Sequence, residues 1–122
     1  MKANIRYFDS PDIVGDFTSW QPEKSSFAVL IDILIGPENS EGEESFSVIV
    51  CSPDWLAQEA NARGIVDGRH IYVVNTWNWS SVRQYFENRV TEYSADDWPA
   101  LALLLSRIGA WEFEDYKERL DD

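Results

Sequence analysis

Phe27 to Ile35 is a nearly continuous apolar run, interrupted only by Asp32 and closed by Gly36-Pro37. The run is about half the length of roughly 18 apolar residues that a membrane span requires. A segment this short and this apolar reads as a strand buried on both faces, which in turn demands a sheet around it and helices on the sheet. Residues 36 to 44 are then polar and rich in turn formers, after which Phe46, Val48 and Val50 alternate with Ser45, Ser47 and Ile49. The two runs predict a hairpin with an acidic tip.

The remaining elements can be placed around that hairpin. Ala3, Ile5 and Tyr7 alternate with Asn4 and Arg6, which predicts a strand over 3–8 ended by Ser10-Pro11-Asp12. Residues 12 to 26 show no period and read as a long connection. Ser52-Pro53-Asp54 is a helix start: Ser52 can cap, Pro53 suits the first helical position, and Asp54 suits the positive end of the dipole. That helix is expected to fade near Ala62 to Gly64. Arg69 to Val74 reads as a further strand, expected to run antiparallel to its neighbour because antiparallel pairs are about two to three times commoner. From Ser80, the positions Val82, Phe86, Val90 and Tyr93 form a helical stripe. Asp97 is a cap for a last helix carrying Leu101, Leu104, Leu105 and Ile108, with Gly109 expected as a left-handed stop. The reading is an α+β fold, with a mostly antiparallel sheet of about four strands and two to three helices packed on it, in one domain over 1–122.

Charge and chemistry narrow the function classes. Asp and Glu number 22 against 10 Lys and Arg, a net charge of -12 whose field repels nucleic acid, anionic lipid and phosphate substrates. The one cysteine, Cys51, offers no disulfide framework and favours a reducing compartment. The N-terminal residues interleave charge with apolar side chains, so neither a signal peptide nor a membrane anchor is expected and the cytoplasm is the default location. The one histidine, His70, lies inside an apolar segment where a structural role is expected. Nothing supplies an oxyanion donor loop beside it or beside Cys51. No ligand set for a metal, no EF-hand spacing and no glycine-rich phosphate loop is present, so no cofactor and no catalytic residue is expected.

What remains is a binding surface. Between Lys24 and Arg63 there is no basic residue, while Glu38, Glu41, Glu43 and Glu44 accumulate at the hairpin tip. Six tryptophans exceed what a small core needs, and tryptophan is enriched where proteins bind one another, although core packing is the alternative for each one. If residues 69–74 run antiparallel, Trp77 and Trp79 emerge beside those glutamates as an aromatic anchor with an acidic rim, suited to a basic partner. The acidic 9 to 23 connection is the next candidate surface. Trp111, Phe113 and Tyr116 follow Gly109 and are expected to serve the fold.

The chain also resembles the Immunity protein 8 family of bacterial polymorphic toxin and contact-dependent inhibition systems. The resemblance rests on Ser10-Pro11-Asp12, Leu34-Ile35-Gly36-Pro37, Gly42-Glu43-Glu44-Ser45-Phe46, Cys51-Ser52-Pro53 with Trp55-Leu56, and Ile108-Gly109 followed by Trp111-Glu112-Phe113-Glu114-Asp115-Tyr116. It implies a small protein, encoded beside a toxin, that binds the cognate toxin domain and blocks it without catalysis. Together with the charge, this leads to the expectation of a basic toxin domain, a nuclease, whose active site is occluded by acidic and aromatic side chains. The rival readings are a small carboxylate-dependent hydrolase or isomerase near His70, and an acidic interaction module or nucleic-acid mimic.

Overall fold

A computed structural model describes residues 1–113. Along them lie β1 (Ala3–Asp9), β2 (Ala28–Pro37), β3 (Glu44–Cys51), α1 (Pro53–Arg63), β4 (Ile71–Val73), α2 (Trp79–Val90), α3 (Trp98–Leu105) and β5 (Ala110–Trp111). The strands form one sheet in the order β1-β2-β3-β4, with β5 also pairing β3. All pairings are antiparallel except β3 with β4. The expected α+β architecture with a mostly antiparallel sheet is therefore the observed one. Tyr116, expected to serve the fold, lies outside the described residues.

The hairpin is the centre of the sheet. β2 and β3 pair from Ala28 with Cys51 to Ile35 with Glu44, in a register that sets Val29, Ile31 and Ile33 opposite Val50, Val48 and Phe46. These six side chains point to one face and are buried there with Val82, Phe86 and Val90 of α2 and Leu101 and Leu105 of α3. The opposite face is less covered than the sequence suggested. Leu30 is 37% exposed and Asp32 and Leu34 are half-buried, so β2 is fully covered on one face only. Asp32 tolerates that position because Ser47 Oγ donates to its carboxylate at 2.6 Å across the strand pair.

The helices begin where their capping residues stand. Ser52, Asn78 and Asp97 cap α1, α2 and α3, each accepting a backbone N–H of the first turn. Ser52 does more than cap. Its backbone N–H donates to the Phe27 carbonyl at 3.0 Å and its hydroxyl oxygen accepts from Phe27 N–H at 3.0 Å, which ties the start of α1 to the start of β2.

Three expectations about the outer edge of β3 are corrected. β4 is short and runs parallel to β3, with Ile71, Tyr72 and Val73 beside Ile49, Val50 and Cys51. Because it pairs only with the end of β3, the chain needs to return by just two residue steps, roughly 7 Å, and α1 spans that easily. His70, read as a strand residue, precedes β4 at φ 61, a left-handed conformation unusual for a non-glycine residue, and its Nε2 donates to the Ser106 carbonyl at 2.7 Å. Gly109, read as a left-handed stop, acts differently, since α3 ends at Leu105 and positive φ occurs at other glycines. A Cβ on Gly109 would lie 3.0 Å from the Phe46 carbonyl carbon and 3.1 Å from the Ser47 oxygen, so a glycine is needed for β5 to reach β3.

Trp111 on β5 stacks its ring near Phe46 at an interplanar angle of 10° and donates its indole N–H to Glu44 at 2.6 Å. Its fold role is thus direct. Gly109→Ala is expected to force β5 off β3 and cost about 1–3 kcal/mol, the range for overpacking a tight site. Urea unfolding should show a lower midpoint with an unchanged slope.

Candidate functional site

The hairpin tip is exposed, acidic and braced from below. Glu38, Glu41 and Glu43 are all exposed. Beneath them the Arg6 guanidinium donates to the carbonyls of Pro37 at 2.6 Å and Ser40 at 2.7 Å, and also to Asn4 Oδ1. Arg6 reaches this position from a bulge in β1 between Ile5 and Tyr7, which adds a residue to that strand relative to β2. Gly36 completes the brace. A Cβ there would collide with the Gly42 carbonyl oxygen, so the tip folds back onto β2 only because position 36 is bare. Glu44 differs from its neighbours: it is half-buried at the start of β3 and accepts the Trp111 indole N–H.

The parallel direction of β4 sends the chain away from this tip. Trp77 and Trp79 therefore stand at the opposite end of the sheet, and the expected union of aromatic anchor and glutamate rim does not form. Trp77 is 7% exposed, with its ring edge-on to Trp20 at 5.1 Å and Phe27 at 6.4 Å. Trp79 is half-buried and lies edge-on to Phe8 at 4.8 Å and Phe17 at 4.7 Å.

Trp79 does border a second acidic surface. A cleft of about 590 Å³ opens between β1 and the start of α2, lined by Arg6, Tyr7, Phe8, Phe17 and Trp79 and by the carboxylates of Asp9 and Asp16. Arg83 and Glu87, also on its wall, are paired with each other at 2.9 Å. The long 10–27 connection thus folds back to contribute Asp16 and Phe17, which the sequence signalled only by its acidity.

The groups considered for catalysis are occupied by the fold. Cys51 is 0% exposed, and burial pushes its thiol up from the usual range, away from the reactive thiolate. His70 is held by the Ser106 carbonyl. Among the described residues no group of three His, Cys, Asp or Glu side chains could hold a metal ion, and no helix is long and apolar enough to cross a membrane.

Compared with known protein families, residues 3–116 match the model described as Immunity protein 8. The chain belongs to the Immunity protein 8 family. No curated protein and no solved structure matches it. Membership makes the chain a toxin immunity protein, and the geometry explains the residues that carry the resemblance. Ser10 Oγ accepts from Asp12 N–H at 3.1 Å, and the Asp12 carboxylate in turn accepts from Leu30 N–H at 2.8 Å, past the end of β1. Gly36, Ser52 and Gly109 are the close approach at the tip, the cap of α1 and the close approach of β5. These Immunity protein 8 positions hold the scaffold, while Glu38 and Glu41, outside those motifs, and Glu43 project from it.

Arg6→Ala should release the tip without unpairing β2 from β3. The expected loss is about 1.5–3 kcal/mol, the range for hydrogen bonds to a charged group. Amide exchange should accelerate over residues 38–43 and stay unchanged at Ile31 and Val48.

Proposed function

We infer that this immunity protein neutralises a basic toxin domain of the nuclease class, in the cytoplasm, by covering its substrate site with carboxylates. The observation that carries this reading is the exposed trio Glu38, Glu41 and Glu43 on a tip already held in place by Arg6 and Gly36. A nuclease must present positive charge to attract a phosphate backbone, and fixed carboxylates can occupy the same cleft. Preorganisation matters here because a loop ordered before binding loses less entropy on association. The net charge of -12 adds a long-range attraction that steers a basic partner and speeds the encounter.

Within this reading the six residues singled out in the sequence take different parts. Glu38, Glu41 and Glu43 face the partner. Glu44 supports them through Trp111, and Trp77 supports Trp79, which offers aromatic surface at the other end of the sheet. No catalytic step by the chain itself is involved, since a bound protein that fills the site is sufficient to block it.

Reversing Glu38, Glu41 and Glu43 to Lys should slow association with the toxin domain encoded beside this chain about tenfold at low salt, and flatten the salt dependence of the rate. Stopped-flow mixing at several ionic strengths measures both. Unchanged rates in a folded triple variant would place the docking surface away from the tip. Glu44→Gln, by contrast, should lower the unfolding midpoint through Trp111 and leave the association rate alone.

A further inference from the structure

The outer edge of β1 bears on how a toxin is held. Backbone groups along an antiparallel strand point alternately toward and away from the paired strand. Glu38 N–H donates to the Lys2 carbonyl, and Leu30 N–H is directed to Asp12, so the even positions of β2 turn their backbone groups toward β1. Asn4, Tyr7 and Asp9, opposite Gly36, Leu34 and Asp32, bond inward to β2. Ile5 and Phe8, on either side of the bulge, therefore turn their N–H and C=O groups outward.

That outward side already accepts a neighbour at its first position. Met1 donates to the Ala95 carbonyl at 2.7 Å and accepts from Ala95 N–H at 3.2 Å, the reciprocal pair of an added strand. Past this point two hollows follow the edge end to end, the smaller of about 230 Å³ beside Ala3 and the larger of about 590 Å³ beside Ile5 to Asp9. They share Ile5 and Glu87. α2 forms their far wall, so the whole is a groove between an edge strand and a helix, the shape into which an extended peptide adds as a further strand.

We propose that an extended segment of the toxin pairs with β1 at Ile5 and Phe8, sets an alternate side chain onto Trp79 and Phe17, and directs a lysine or arginine to Asp9 and Asp16. This rests on the toxin-binding reading and adds a second contact, remote from the glutamate tip. Charge selects the occupant: Arg6 also lines the larger hollow, but its guanidinium is engaged by Asn4 and by the Pro37 and Ser40 carbonyls. Among the described residues neither Asp9 nor Asp16 forms an ion pair; Asp9 accepts Ser10 N–H at 3.0 Å and Asp16 accepts Thr18 N–H at 2.9 Å, leaving each carboxylate able to take a cation.

The test is amide hydrogen exchange by NMR on the free chain and on its complex with the toxin domain encoded beside it. The Ile5 and Phe8 amides should slow at least about tenfold in the complex, while Asn4 and Tyr7, already bonded inward, should change little. The double variant D9N/D16N keeps the acceptors for Ser10 and Thr18 and should bind about tenfold more weakly, equivalent to about 1.4 kcal/mol. A complex that forms with Ile5 and Phe8 exchanging at their free rates overturns the strand pairing and leaves the immunity reading standing. Absence of any complex overturns both. Slow exchange of the same two amides without toxin, with a doubled mass in sedimentation, would assign the groove to a second copy of the chain and overturn the proposal.

Discussion

The outer edge of β3 is shared by two short strands, and much of the structure follows from that division. β4 takes the stretch from Ile49 to Cys51, and β5 takes Phe46 and Ser47. Neither is long enough to hold its place by ladder bonds alone. Cross-links from side chains fix both: the Tyr72 hydroxyl donates to the Ile108 carbonyl at 2.6 Å, His70 donates to the Ser106 carbonyl, and Trp111 reaches Glu44. Gly109 admits the chain close enough for these bonds to form. The arrangement explains how His70 is kept at a positive φ, since a conformation that costs on the order of 1–3 kcal/mol persists only where its surroundings impose it.

The same division separates what could be read in the sequence from what could not. The β2–β3 hairpin was legible because alternation over Phe46, Val48 and Val50 meets a long apolar run across an obvious turn. The three helices were legible from Ser52, Asp97 and the apolar stripe of α2, with Asn78 taking the cap position. β4 was not, because a three-residue strand carries no period that fixes its direction, and the commoner antiparallel choice misplaced Trp77 and Trp79 relative to the glutamates. β5 was missed for a related reason: two residues after a glycine look like a helix stop, and only the proximity of Phe46 turns them into a strand. In the candidate site the exposed glutamates were legible from composition, whereas the brace beneath them depends on Arg6, a residue more than thirty positions away in the chain. Trp77 and Trp79, expected together beside the glutamates, part instead: one ends in the core and the other at a cleft wall.

An acidic hairpin tip has a conflict to resolve, because clustered carboxylates repel one another and tend to splay the loop that bears them. The structure answers by placing a single guanidinium under the cluster, bonded to backbone carbonyls rather than to the carboxylates. The glutamates thereby remain exposed to solvent while the loop is held from below by a different side chain. Holding the loop and displaying its charge thus fall to different atoms, and a change in one need not alter the other.

α1 shows a different mode of attachment. It buries no residue fully, and its apolar and polar side chains are distributed without a strong face, yet its first turn is fastened through Ser52 to β2. A helix secured at its end and not along its length places little demand on the identity of the residues beyond the first turn. The exposed positions Ala57, Gln58, Asn61, Ala62 and Arg63 can therefore change identity at little cost to the sheet, so the outer surface of this helix is set by the chain's needs at its surface and not by its fold.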